Sequence, residues 1–195
     1  MSRIVAGSRG GQRLVMPGHD RTRPTSDRVR ESAFNLIAAW AGTAGEPADV
    51  MLDRFSFLDL YAGSGAVALE AASRGAGPVL AVERDAATAA VARRNAERLG
   101  LDVRVVTAAV ESFVADAEPR AFDVVWLDPP YALGSDAVAR VAALVLKRGW
   151  LAPDGLVVAE RATRDEPPGW PPSLPSTWSR RYGETTLYFA ATEAS

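Results

Sequence analysis

The sequence predicts an α/β fold: a mostly parallel sheet with helices on both faces, a C-terminal antiparallel hairpin and a small N-terminal β-hairpin extension. Three observations carry this. Strand-like and helix-like stretches alternate from residue 56 to 160, the pattern of a parallel sheet. Phe57-Leu58-Asp59-Leu60 reads as a buried strand that runs through Tyr61-Ala62 into Gly63-Ser64-Gly65, and the helix formers Ala66–Ala72 follow. Val124-Val125-Trp126-Leu127 is a second apolar strand, stopped by Asp128-Pro129-Pro130-Tyr131, because no sheet interior accepts Pro-Pro. Ligands of open α/β sheets bind at the carboxyl ends of strands, so both stretches point to one end of the sheet.

The elements follow in order. Arg3-Ile4-Val5 and Gln12–Met16 flank the turn residues 7–11 as a hairpin. A lone hairpin is marginal in water, so this one either packs on the body or orders only on a partner. Residues 17–25 are loop. The chain accordingly divides into a basic N-terminal segment, 1–25, and a main domain, 26–195. Ser26 caps a helix with Asp27 in its first turn, and Val29, Ala33, Leu36, Ile37 and Trp40 recur at helical spacing. Residues 42–54 connect it to the regular region. There the expected elements are strand 56–61, helix 65–74, strand 78–83, helix 86–99, strand 102–107, a short helix 110–117, strand 122–127, helix 134–147 and strand 154–160. Prolines from 167 to 175 mark a stiff loop. Trp178–Tyr182 and Thr185–Ala191 then alternate around Gly183-Glu184 as a hairpin.

At 195 residues the chain suits one domain with a small appendage. It has no cysteine and one histidine, His19, which leaves no basis for a disulfide, a thiolate metal site or a histidine triad. No metal is expected. No run of 18 apolar residues and no signal-peptide core occur, so a cytoplasmic, membrane-free protein is expected. The net charge is −2, but residues 1–31 hold seven arginines against three acids. A local basic patch therefore sits on an acidic body. Arg23, Arg28 and Arg30 near the start of the Ser26 helix form either a solvated face or an anion site.

The glycine turn fits G-x-G-x-x-A, a weak pattern shared by dinucleotide and methyl-donor enzymes. Glu83 closes the second strand, where a carboxylate can accept ribose hydroxyls. Asp59 separates the alternatives. A buried acid needs a cationic partner. It would repel a pyrophosphate and attract an amino-acid ammonium, such as the methionine end of S-adenosylmethionine. Asp85 is either a helix cap or a ligand.

Asp128-Pro129-Pro130-Tyr131 suits methyl transfer to an exocyclic amine. The nitrogen lone pair of such an amine is delocalised into its ring, so it is a poor nucleophile. A carboxylate and a proline-bounded carbonyl can accept its two N–H groups and favour a pyramidal nitrogen. Tyr131 can stack on a base drawn out of its helix.

On these motifs the chain resembles the RsmD family. The residues are Arg23-Pro24-Thr25-Ser26-Asp27-Arg28-Val29-Arg30-Glu31 with Phe34-Asn35, then Asp59–Gly65, Glu83, and Asp128–Tyr131. The first block is the most family-specific. The resemblance spans roughly residues 3–190. It implies a Rossmann-like doubly wound methyltransferase fold and S-adenosylmethionine-dependent methylation of a guanine N2 in small-subunit ribosomal RNA, as naked RNA or within an assembly particle. It implies cofactor contacts at Asp59, Ala62, Gly63, Ser64, Gly65 and Glu83, and the target amine at Asp128, Pro129, Pro130 and Tyr131. The basic N-terminus, with Arg3, Arg9, Arg13, Arg23, Arg28 and Arg30, would face RNA. One departure stands out. Where such enzymes commonly place Asp or Asn after the third strand, this chain has Ala108-Ala109-Val110, so adenine recognition falls to the backbone of Val110 or to Glu111. Three other readings compete: an adenine-N6 methyltransferase acting on DNA or RNA, an NAD-linked oxidoreductase, and a noncatalytic RNA-binding protein.

Overall fold

The computed structural model describes residues 2–18, 25–130 and 132–192. Expectations for Arg23 and Tyr131 lie outside the described residues. One seven-stranded sheet runs in the order β3-β2-β1-β4-β5-β7-β6. Its strands are β1 (Phe57–Leu60), β2 (Val79–Glu83), β3 (Val103–Thr107), β4 (Phe122–Leu127), β5 (Leu151–Ala162), β6 (Ser176–Tyr182) and β7 (Thr185–Ala191). The pairings from β3 through β5 are parallel, and the β6–β7 hairpin inserts β7 antiparallel to β5. Strand order reverses at β1, which puts its carboxyl end, beside that of β4, at the topological switch point.

Two cores follow from the period-two alternation of side chains. Phe57, Val124, Trp126, Leu156 and Val158 face α1 (Asp27–Trp40) and α2 (Ala66–Ser73). Leu58, Leu60, Val125, Leu127 and Val157 face α4 (Val110–Asp116) and α5 (Ser135–Arg148). The remaining helix, α3 (Ala86–Leu99), is capped by Asp85, which accepts from the Thr88 N–H at 2.7 Å. That assigns Asp85 to the helix. Residues 42–54 are turns, yet Met51 and Leu52 are buried in the first core.

The N-terminal segment is docked on the main domain. Arg3 and Arg13 form a single antiparallel bridge, and Ile4 and Leu14 pack on Ala66, Leu69, Ala96 and Leu99 of α2 and α3. Glu70, fully buried in α2, accepts from the backbone N–H groups of Val5 at 2.7 Å and Ala6 at 3.0 Å. Asn95 of α3 pairs with both backbone groups of Val15, each at 2.9 Å. Gly7 closes the turn at φ +82°, where a Cβ would lie 2.0 Å from the Ser73 carbonyl oxygen, so only glycine fits.

Arg30 corrects one expectation. The sequence offers it, with Arg28, to a solvated face or an anion site, but residues two apart on a helix lie about 200° apart. Arg30 shares the inner stripe of Val29, Ala33, Phe34 and Ile37 and is fully buried. Its guanidinium donates to Asp27 at 2.9 Å, Glu70 at 3.4 Å, the Thr25 carbonyl at 3.3 Å and the Arg3 carbonyl. It ties α1 to α2 and the N-terminal segment, and has no surface to offer an anion.

Candidate active site at the carboxyl ends of the strands

The site grows out of the β1–β4 pairing. Leu60 pairs with Leu127, and the Asp128 N–H reaches the Leu60 carbonyl at 3.4 Å. The two strand tips therefore sit side by side, the glycine turn on one and the proline stop on the other.

The turn is built from backbone constraints. Tyr61 holds φ +68°, a left-handed value that a side chain resists, and Gly63 and Gly65 hold +55° and +81°. Such strain in a non-glycine residue is characteristic of ligand sites. Ala62 donates to the Val82 carbonyl at 2.9 Å, and Gly65 closes back on Ala62 at 2.8 Å. Ser64 is buried, and its carbonyl accepts from Asn95 at 3.2 Å. A Cβ on Gly63 would meet nothing within 4 Å, so the backbone there borders open space. Glu83 fixes the turn from the next strand, accepting from the Gly63 N–H at 2.9 Å and the Asp85 N–H at 2.8 Å.

Asp59 lies behind the turn at 1% exposure. Gly65 has no side chain to cap α2, and Asp59 does so from β1, accepting the Ala68 N–H at 3.0 Å. Burial raises its pKa to about 8, against the Ala68 bond that lowers it, with the Glu83 charge adding to the rise. The fit to a ligand ammonium is chemical: a desolvated acid beside an open backbone cradle is stabilised by a cation. The pH dependence follows in sign. The folded chain holds this proton more tightly than the unfolded chain from about pH 4 to about 8, so this group makes stability fall as pH rises through that window. Asp59→Asn, which still accepts from Ala68, is expected to raise the melting temperature of the ligand-free protein at pH 8 by a few degrees. It is also expected to weaken S-adenosylmethionine binding by about 30-fold or more. Thermal scans across pH and calorimetric titration check both; unchanged affinity would remove Asp59 from the cofactor site.

On the β4 side, Asp128 is half-buried, Pro129 buried and Pro130 half-buried. The Pro130 carbonyl accepts from Leu133 at 2.8 Å, which turns the chain toward α5. Burial pushes Asp128 well above the ordinary carboxylate range, the charges of Glu160 and Asp59 push it further, and Arg161 opposes them. The site thus gathers Asp59, Asp128, Glu160 and Arg161 from three adjacent strands.

Val110 is buried at the start of α4, so only its backbone is left to face a ligand. Glu111 accepts from the Tyr61 hydroxyl at 2.9 Å, bridging the strained residue to α4. Of the basic residues, Arg28 and Arg13 are exposed, and Arg3 is exposed but pairs with Asp27 at 3.2 Å. Arg9 donates to the Leu99 carbonyl at 2.6 Å, closing the end of α3. Sequence reasoning missed Tyr61, Thr25, Glu160 and Arg161. The last two had an available signal, since they lie at the carboxyl end of the fifth strand. A separate hollow of about 260 Å³, lined by Leu80, Phe113, Phe122 and Trp150, lies toward the amino ends of the strands and holds none of these acids. Among the described residues no cluster of His, Cys, Asp and Glu could hold a metal, and no helix is long and apolar enough to cross a membrane.

Known proteins resemble this chain in sequence and fold. The Escherichia coli (strain K12) ribosomal RNA small subunit methyltransferase D is 34% identical over 178 residues, covering 91% of this chain and 81% of that protein. Its Haemophilus influenzae namesake is 30% identical over 169 residues, covering 85% and 80%. The solved structure of the Escherichia coli protein yhhF superposes with a TM-score of 0.82 at 31% identity, covering 100% of this chain and 99% of that one. A 16S rRNA N2 guanine methyltransferase of T. thermophilus, RsmC, solved with AdoMet and guanosine, shares the fold at a TM-score of 0.62 and 21% identity, covering 90% of this chain and 45% of that one. The family described as Conserved hypothetical protein 95 matches residues 2–191. With nearly its whole length matched, and relatives of that identity and coverage, the chain belongs to this family, that of the ribosomal RNA small subunit methyltransferases D.

Proposed function

We propose that this protein methylates the exocyclic N2 amine of a guanine in small-subunit ribosomal RNA, with S-adenosylmethionine as donor and a small-subunit assembly particle as substrate. The observation that carries the reading is the side-by-side placement of the glycine turn and Asp128 by the β1–β4 register. Bound at the turn, S-adenosylmethionine supplies an electrophilic sulfonium methyl group. The chain's own residues do the rest by positioning and electrostatics. Asp59 offers its carboxylate to the ammonium end, Glu83 has lone pairs left for ribose hydroxyls, and the backbone of Ala62 to Gly65 lies against the ligand. Val110 is the backbone contact for the adenine. Asp128 and the Pro129 carbonyl accept the two N–H groups of the amine, and neither proline offers a competing N–H. Tyr131 stacks on the extruded base.

The test is transfer of labelled methyl to small-subunit particles from a strain lacking the enzyme, followed by mass analysis of the nucleosides. N2-methylguanosine is expected; N6-methyladenosine or no label would overturn the reading.

Arg3, Arg13 and Arg28 are exposed near the start of α1 and on the docked N-terminal segment, and their charges suit RNA phosphates. Arg28→Ala is expected to reduce the slope of log affinity against log salt by about one unit. Filter binding at several salt concentrations measures it, and an unchanged slope would take Arg28 out of the interface.

A further inference from the structure

Glu160 is the site acid that the motifs do not use. In the β4–β5 register Leu127 pairs with Ala159, so Glu160 is the next residue across from Asp128. By period two it follows Val158 on the face that carries Trp126 and α1. It is 6% exposed, and one of its oxygens, Oε2, accepts from the Thr25 hydroxyl at 2.6 Å. Thr25 is itself buried, just before the Ser26 cap of α1, and its carbonyl accepts from Arg30. The carboxylate is thus held in place by a residue 135 positions away in sequence. The register sets Glu160 beside Asp128 on the neighbouring strand, and its charge helps hold the Asp128 pKa up.

A guanine presents two adjacent donors on its pairing edge, the ring N1–H and the N2 amine. An adenine presents an unprotonated N1 beside its amine. Two acceptors side by side complement the first edge and repel the second, which leaves an acceptor facing an acceptor. Resting on the reading of the site given above, we propose that Glu160 is a specificity-determining residue: it accepts the N1–H of the target guanine while Asp128 accepts from the N2 amine, with Thr25 as its positioning residue.

The experiment uses 2-aminopurine, which keeps the exocyclic 2-amine of guanine but has an unprotonated ring N1. Small-subunit RNA is reassembled with a synthetic fragment carrying either guanine or 2-aminopurine at the nucleotide the protein methylates. Methyl transfer by the wild-type protein and by Glu160→Gln is measured on both. The wild type is expected to prefer guanine by about 10- to 100-fold in kcat/KM. Glutamine can donate to an unprotonated N1, so the variant is expected to lose most of its activity on guanine and to narrow or invert the preference. Equal transfer by the wild type to both bases overturns the proposal without need of the variant, should the variant fail to fold. Equal losses on both bases in a folded variant that still binds S-adenosylmethionine also overturn it, because a merely structural role predicts that result. Absence of transfer to either base by the wild type overturns the reading of the whole site, and the proposal with it.

Discussion

Asp128→Ala is expected to lower the rate of methyl transfer by about 10²- to 10³-fold, the usual cost of losing one preorganised electrostatic group in a site. S-adenosylmethionine affinity should change little, because Asp128 follows β4 while the cofactor contacts lie on β1, β2, the glycine turn and the start of α4. The effect should fall on kcat. The carboxylate matters most when the amine nitrogen becomes tetrahedral and its N–H groups grow more acidic, so the interaction strengthens toward the transition state. Only the ionised acid offsets the positive charge that methylation brings to the nitrogen whose N–H it accepts. Since burial and the neighbouring acids hold its pKa well above the ordinary range, activity should fall as pH drops through that raised value. The acid limb of the rate profile should therefore lie above the usual carboxylate range. Single-turnover rates across pH, with calorimetric titration of the cofactor, separate these claims. Full transfer by the alanine variant would remove Asp128 from the chemistry.

Glu70→Ala should destabilise the fold by about 3–5 kcal/mol, the cost of breaking a buried ion pair from one side. The Glu70 carboxylate accepts from Arg74 at 2.8 Å and Arg30 at 3.4 Å, as well as from the Val5 and Ala6 N–H groups. Both arginines are at most 2% exposed, and Arg74 lies 5.0 Å from the centre of the Phe34 ring. Among the described residues, removing the acid leaves Arg74 without a carboxylate, leaves Arg30 with that of Asp27 alone, and orphans two backbone donors. Stability of a domain this size is of order 10 kcal/mol, so the loss is a large fraction of the whole. The melting temperature should fall by roughly 10 °C or more. The N-terminal segment should also become more open to proteolysis, since Glu70 is one of its polar anchors. Urea unfolding and limited digestion check both, and a loss under about 1 kcal/mol would show that the cluster contributes little.

The parallel sheet was legible because buried strands and helices carry different periods, and because glycine and proline mark where strands end. The C-terminal hairpin was legible for the same reason: Thr185–Ala191 alternates cleanly and Gly183-Glu184 makes its turn. Glu83 and Asp128 stand out by their places at strand ends, and Asp59 by being an acid inside a buried strand. What stayed hidden was pairing across long separations. Arg30 read as surface because arginine usually is; its burial is decided by Glu70, 40 positions away. Glu160 read as the plain end of a strand, because its partner Thr25 is a loop residue with no pattern of its own. Docking of the N-terminal segment depends on a glutamate in an alanine-rich helix, Glu70, and on Asn95 in another, and neither position differs in sequence from a solvated one. Tyr61 sits inside the motif, but its left-handed backbone could not be read from a residue type that normally avoids that region.

Two strand tips sharing one reaction space are what the proposed chemistry requires. A crystal structure of the protein with S-adenosylhomocysteine tests this most directly. The amino-acid end of the ligand is expected at Asp59, its ribose at Glu83 and its sulfur between the Gly63 backbone and the Asp128 carboxylate. A ligand seated elsewhere, or one whose sulfur faces away from Asp128, would contradict it.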